Sequence, residues 1–531
     1  FLSAVTMRLF GTLFTLSIVG LANSVPITTD TNLPCTPPTP LSTDAPNVML
    51  IGDSISMGSS GYSLFVQEML SNASGNTLVG SLQHGGGFGG GGQMASSANG
   101  AAKVASCVGN ATGALPPKSW SVVTYNAGLH DCDTTERVGP EAYRSNLRGV
   151  FETLLPAASA VVFVTTTPYD MISHPAGINM SCVIQYNEIA KDVANEVGAV
   201  IVEDLYQYVE DFCQAFPKLN ASTGYGGNYT TCAIQTTGLH FYDQAPMPSG
   251  QQYTGIGVAE AAIRRIPNDE INNKTTWALD TDLTAPANDC GNPPAPLSPS
   301  LPNVLIIGDS ISMPTSGYGP GVEAILAQPR PGQSGYKTGP LASVQHNGGT
   351  GSNQAGPTTN GAQCIHTWLG EGKWDVITIN FGIHDCCPGG DGRPPGQNVP
   401  KAEYIKNLNT IFEAASGSLA PGGKIVWVTT TPVSNTFPVC NLTGDAFNQC
   451  VDEYNQAALE LAASRKDIVV ADLNEAVRDV CGQDYATCNL QRYDNVHFTD
   501  AGKQYCAVVV AKAVAPLLGP KWNALTTKDD E

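Results

Sequence analysis

The stretch NVLIIGDSISM, residues 303–313, decides how this chain is read, because NVMLIGDSISM stands at residues 47–57. Nine of the eleven positions are identical. Each is a short run of aliphatic residues that stops at Gly-Asp-Ser. A continuous apolar run of that length suits a strand buried on both faces of a parallel sheet. The two serines, Ser54 and Ser310, lie 256 residues apart.

Further blocks repeat in the same order. TYNAGLHDC (124–132) matches TINFGIHDC (378–386), and VVFVTTTP (161–168) matches IVWVTTTP (425–432). CVIQYNEIA (182–190) matches CVDEYNQAA (450–458), and GLHF (238–241) matches NVHF (495–498). A period this long means duplication of a whole domain rather than a solenoid. The 531 residues also exceed what one hydrophobic core usually organises. The expected organisation is a signal region over 1–25, a first domain over 26–283, a Pro-rich linker over 284–302 and a second domain over 303–531. The linker, TAPANDCGNPPAPLSPSLP, carries too many prolines to sustain a helix or a central strand.

In the second copy, WDVITINFG (374–382), KIVWVTTTP (424–432) and DIVVADL (467–473) read as further buried strands. AEYIKNLNTIFEAA (402–415) places Tyr404, Ile405, Leu408, Ile411 and Phe412 on one helical face. CVDEYNQAALELAA (450–463) reads as a second helix. Strands alternating with helices give the fold class: α/β, two three-layer α/β/α sandwich domains, each on a mainly parallel sheet. In such sheets ligands bind beyond the carboxyl ends of the strands, where the repeated polar blocks sit.

The net charge of −20 argues against nucleic-acid and anionic-membrane partners, which require clustered Lys and Arg. LFGTLFTLSIVGL (9–21), after Met7-Arg8, is apolar but short for a bilayer span, and small residues follow at Ala22 and Ser24. It reads as a cleaved export signal, leaving no stable membrane insertion and a secreted, extracellular product. Seven Asn-x-Ser/Thr sites, at Asn72, Asn110, Asn179, Asn220, Asn228, Asn273 and Asn441, fit that route as glycan acceptors in a eukaryote. So do the 15 cysteines. Cys35, Cys107, Cys132, Cys182, Cys213 and Cys232 align with Cys290, Cys364, Cys386, Cys450, Cys481 and Cys488, which suggests three bridges per domain. Cys387, Cys440 and Cys506 have no counterpart, and the odd total leaves a thiol over. No Cys-x2-Cys pair occurs, so a zinc site is not expected.

Ser310 stands where a strand ends and a helix is expected to start. Helix-start amides would there favour developing negative charge; the plainer reading is a helix cap. A serine nucleophile needs a base, and the base needs an acceptor on its other ring nitrogen. DNVHF supplies both as Asp494 and His497. In the first copy His240 lies at a matched distance from Ser54, but Thr237 stands where the carboxylate belongs. Losing the triad acid costs about 10⁴ in rate. The first domain is therefore expected to be weak or inactive. GGGFGGGG (85–92) has no Lys-Ser/Thr after it and reads as a loop rim rather than a phosphate cradle. His84, His346 and His366 read as loop or surface residues.

On these blocks the chain resembles two copies of an SGNH hydrolase, the GDSL esterase/lipase superfamily. The resemblance implies a flavodoxin-like five-stranded fold and no metal or cofactor. It implies Ser310 (and Ser54) as nucleophile, with His497 and Asp494 (and His240) completing the relay. Oxyanion-hole amides fall on Gly348 and Gly86. The family's third block is Gly-x-Asn-Asp, whose Asn donates to the oxyanion; here His384 and His130 replace it. Asn380 and Asn126, two residues before the glycine, are the alternative donors. The activity implied is a serine esterase, and the block flavour resembles carbohydrate O-acetylesterases, so the expected substrate is an ester on a glycan or polysaccharide. A lipase or lysophospholipase is the alternative activity, and a non-catalytic binding protein on the same scaffold is the alternative class.

Overall fold

The computed structural model describes residues 41–43, 45–56, 61–70, 79, 81–85, 96–109, 116–133, 137–168, 178, 180–215, 241, 250–271, 290–313, 317–327, 341–347, 356–387, 399–433, 442–482, 488–491 and 496–518. The expected signal region, all seven sequons, Cys35, Cys232 and Cys440 lie outside them. So do Gly86, Thr237, His240, Gly348 and Asp494.

The first half runs β1 (Asn47–Ile51), α1 (Ser63–Leu70), β2 (Ser81–Gly85), α2 (Ser97–Cys107), β3 (Trp120–Asn126), α3 (Pro140–Leu154), β4 (Ala158–Val164), α4 (Met180–Val197), β5 (Val200–Glu203), α5 (Leu205–Ala215) and α6 (Gly250–Ile263). The second repeats it: β6 (Asn303–Gly308), α7 (Gly319–Ala327), β7 (Ser343–Asn347), α8 (Thr358–Leu369), β8 (Trp374–Asn380), α9 (Lys401–Gly417), β9 (Leu419–Val428), α10 (Gly444–Ala463), β10 (Ile468–Ala471), α11 (Leu473–Cys481) and α12 (Asp500–Val514). The sheet orders are β2-β1-β3-β4-β5 and β7-β6-β8-β9-β10. Every strand pairing is parallel. Two α/β/α domains with flavodoxin-like strand order result. The sheet order reverses beside the first strand of each half, and that switch point places the end of β1 or β6 at the ligand-binding crevice.

The strands form where the aliphatic runs predict. β1, β3, β6 and β8 are buried at every residue, because helices cover both faces of each sheet. In α9 the buried face is Tyr404, Leu408, Ile411, Phe412 and Ala415, with Ile405 at its margin. α10 starts six residues earlier than its apolar pattern suggests. Thr443 caps it, its hydroxyl accepting from the Ala446 amide.

Between described residues, the bridges in the second half are Cys290–Cys364, Cys386–Cys450 and Cys481–Cys488. In the first, Cys132–Cys182 takes the place of Cys386–Cys450. Cys506 is the free, buried thiol among the described residues. The described part of the expected linker, 290–302, is tied to the second half rather than free. Cys290 is bonded to Cys364 and its carbonyl accepts from the Trp368 indole at 2.8 Å. Asn303 grips the carbonyl of Ser298 at 3.0 Å.

Candidate active site

β6 ends at Gly308, and residues 309–312 form a tight turn. The expected helix start at Ser310 is not there: α7 begins at Gly319. The reason is local competition for the backbone. The Asp309 carboxylate accepts from the Ile311 amide at 2.9 Å, and the Ser312 amide and hydroxyl both turn back to the Asp309 carbonyl at 3.0 Å. Helix-start amides therefore do not face Ser310, and the serine is held by a turn instead. Gly308 is required because a Cβ there would run into the Ser312 hydroxyl and the Asn380 carbonyl.

The last loop brings His497 to this turn. His497 Nε2 lies 2.8 Å from Ser310 Oγ, across 187 residues of sequence. Both are buried, at 4% and 1% exposure. Three features hold the loop. Gln491 and Phe498 form an antiparallel bridge, Thr499 caps α12 through the Gly502 amide at 3.1 Å, and Cys481–Cys488 closes the chain upstream.

The third block lies after β8. Gly382 has φ +148, a conformation that side chains avoid, and a Cβ there would strike Thr430. Asp385 accepts from the Thr358 amide at 3.0 and 3.1 Å and from its hydroxyl at 2.5 Å, fixing the start of α8. Between them His384 is buried, and its Nε2 has no hydrogen-bond partner among the described residues. Burial, helped by the charge of His497, holds the His384 pKa down at about 4. At working pH it is a neutral imidazole. Burial also pushes the Asp309 carboxyl up to about 6, against the Ile311 amide and His497, which pull it down.

Asn380 is not available as a donor. Its amide donates to the carbonyls of Val428 at 2.9 Å and Thr429 at 3.5 Å. Asn126 does the same to Val164 at 2.9 Å and Thr165 at 3.3 Å. Both bind the ends of adjacent strands, which takes them out of the oxyanion assignment. The TTTP and YN blocks, which carried no role in the sequence, are also scaffold. Asn455 brackets Thr430, accepting from its amide at 2.9 Å and donating to its carbonyl at 2.8 Å. Asn187 brackets Thr166 in the first half at 3.0 and 2.9 Å.

Residues 306–505 match the model of the GDSL-like Lipase/Acylhydrolase family. The second half is a GDSL-like lipase/acylhydrolase domain. It is thereby a hydrolase. Among solved structures, an acetylxylan esterase, Axe2, from Geobacillus stearothermophilus is 17% identical, with 42% of this chain and 95% of that one covered and a TM-score of 0.28. A lipase/acylhydrolase from Enterococcus faecalis is 15% identical over 41% and 94%, with a TM-score of 0.29. A member of the lipolytic G-D-S-L family from Veillonella parvula is 19% identical over 39% and 95%, with a TM-score of 0.27. No curated protein matches the chain at a significant level.

The first half shares the turn chemistry of the GDSL-like domain but differs at its serine. Asp53 accepts from the Ile55 amide at 2.8 Å, as Asp309 does from Ile311. Asp131 holds Ser97 through its amide at 3.0 and 2.9 Å and its hydroxyl at 2.6 Å, and burial raises its carboxyl to about 6. Ser54, however, is half-buried where Ser310 is closed in. His130 sits in the short turn His130–Cys132, and its charge lowers Asp53, whose carboxyl burial raises. His84 and His346 are strand residues rather than loop residues, on β2 and β7. His84 Nε2 meets the Ser56 hydroxyl at 3.1 Å, whereas His346 Nε2 meets Glu323 at 3.1 Å. His366 is exposed on α8, as expected.

Proposed function

We propose that the GDSL-like domain is a serine esterase working through an acyl-enzyme. The observation that carries this reading is the 2.8 Å contact between Ser310 Oγ and His497 Nε2. Ser310 gives its proton to His497 as Oγ attacks the ester carbonyl carbon. To Asp494 we assign the part of acceptor for the other ring nitrogen, the Nδ1–H of His497. The tetrahedral oxyanion is met by the backbone N–H groups of Ser310 and Gly348 and by the Nε2–H of neutral His384. His497 then returns the proton to the leaving alcohol oxygen. Water, activated by the same imidazole, hydrolyses the acyl-enzyme.

The substrate we infer is a small acyl ester, an O-acetyl group on a carbohydrate. The motif blocks and the enclosure of Ser310 support a short acyl chain. The first half we read as weak or inactive, because Thr237 replaces the acid that would orient His240. The route we infer is export, supported by the four disulfides seen among the described residues. No helix among them is long and apolar enough to cross a membrane.

Single serine variants test the mechanism. Ser310→Ala should abolish turnover and labelling by a serine-directed fluorophosphonate, and Ser54→Ala should leave both nearly unchanged. Turnover that survives in Ser310→Ala and disappears in Ser54→Ala would reverse the assignment. Acetyl esters should be cleaved faster than octanoyl esters. The opposite order would support a lipase or lysophospholipase, and failure to label Ser310 would support a non-catalytic protein.

A further inference from the structure

The two halves meet along α6 and α12. Both helices lack a solvated face: all 14 residues of α6 are buried, and α12 is nearly so. Aligning Gly250-Gln-Gln-Tyr with Gly502-Lys-Gln-Tyr pairs Gln252 with Gln504, Tyr253 with Tyr505 and Glu260 with Lys512. Inside each half the pairing holds. Tyr253 donates to the Tyr208 carbonyl at 3.0 Å, and Tyr505 donates to the Ala476 carbonyl at 2.6 Å, the matching position of α11. It holds across the seam as well. Gln504 donates to the Met69 carbonyl at the end of α1 at 2.7 Å, and Gln252 donates to the Ile325 carbonyl, the matching position of α7.

Contacts that run both from i to j and from j to i are those of a two-fold interface. A residue near the axis of such an interface faces its own equivalent. That residue is Glu260 in one half and Lys512 in the other. Lys512 Nζ lies 2.8 Å from Glu260 and 3.2 Å from Glu203 at the end of β5. Arg264 joins the cluster, pairing with Glu260 at 2.5 Å and with Asp479 of the second half at 2.9 Å. The carboxylates of Glu203 and Glu260 are nearly closed off from water, at 14% and 7% exposure, so the charges are weakly screened. The second half has Ala471 where the first has Glu203, and Pro516 where it has Arg264.

We propose that this seam is a self-recognition surface carried twice by the duplicated chain, in which opposite charges at positions 260 and 512 make each half accept the other and reject itself. Two second halves brought together would set Lys512 against Lys512 with no Glu203 to receive either. Two first halves would set Glu260 against Glu260 beside a pair of Glu203 side chains. Like-charge juxtaposition of this kind is how an interface excludes wrong partners. The first half is then the dedicated partner that clamps α12, and through the Thr499 cap the loop bearing His497.

The test uses the full chain with a site-specific protease sequence inserted between residues 284 and 289. After cutting, separation of the halves on a non-reducing denaturing gel establishes that no disulfide joins them. Under native conditions the cut protein should travel as one 1:1 species by size exclusion with light scattering. Lys512→Glu should raise the dissociation constant of the cut halves by at least about 100-fold, in the range of desolvated charge pairs. Lys512→Arg, which keeps the charge that faces Glu260 and Glu203, should preserve the 1:1 species. The proposal is overturned by wild-type halves that drift apart, by a species of two second halves, by a Lys512→Glu chain that stays associated, or by a folded Lys512→Arg chain whose halves drift apart. Should Lys512→Glu fail to fold, the mass of the wild-type cut species still decides. Association is read without any enzymatic activity, so it stands or falls separately from the esterase reading.

Discussion

Replacing His384 is the sharpest test of the oxyanion site. Its Nε2 is buried without a hydrogen-bond partner among the described residues, and its pKa is lowered by burial and by His497, the residue that contacts Ser310. A buried donor left without a partner costs stability in the resting protein. It gains one when an oxyanion forms. Removing one such donor typically lowers kcat by about 10²–10³, equivalent to about 3–4 kcal/mol. His384→Ala should therefore lose kcat in that range with KM nearly unchanged. Its urea midpoint should fall only by the cost of the cavity the ring leaves, because no folded-state hydrogen bond from Nε2 is lost. His384→Asn restores an N–H donor and should recover to within about ten-fold of wild type. Because the imidazole has its pKa near 4, it is neutral throughout the working range. The acid limb of kcat/KM should then coincide in wild type and His384→Asn. Steady-state kinetics on an acetyl ester from pH 4.5 to 9 supply every number. A His384→Ala enzyme with wild-type kcat would refute the donor role, and a large loss of stability would mark the ring as structural.

Three further outcomes follow from the geometry. Burial raises the Asp309 carboxyl to about 6, so its ionised form opposes folding, and stability falls as pH rises from about 4 through 6. Asp309→Asn keeps an acceptor for the Ile311 amide and should remove up to about 3 kcal/mol of that fall, seen as urea midpoints that agree at pH 4 and diverge by pH 7.5. Asn455→Ala orphans the buried Thr430 amide, while the Thr430 carbonyl keeps the Asn474 side chain at 2.7 Å, and should cost about 1–3 kcal/mol by denaturant unfolding. Removing Cys386–Cys450, which closes a separation of 64 residues, should cost about 4 kcal/mol on the chain-entropy estimate, and a thermal melt of the Cys386→Ala/Cys450→Ala variant measures it.

Much of the fold was legible because a parallel sheet covered on both faces demands unbroken aliphatic strands, and NVLIIG and WDVITIN supply them. The early start of α10 was missed because its first turn is set by a cap at Thr443 rather than by apolar spacing. The turn at Ser310 was mistaken for a helix start because the carboxylate of Asp309 captures an amide that the helix would otherwise use. Asn380 and His384 looked equivalent as donors on paper. Only the position of the β9 carbonyls, 2.9 and 3.5 Å from the Asn380 amide, separates them.

The sequence by itself determined that the chain is a duplicated α/β protein and which serine and histidine stand at the ends of its blocks, since strand burial, repeat order and residue chemistry are local or one-dimensional properties. The tertiary structure decided which polar groups are already paired, that the buried Nε2 of His384 has no partner among the described residues, and that Glu260 meets Lys512. Those outcomes depend on distance and desolvation between segments remote in the chain, which no spacing of letters records.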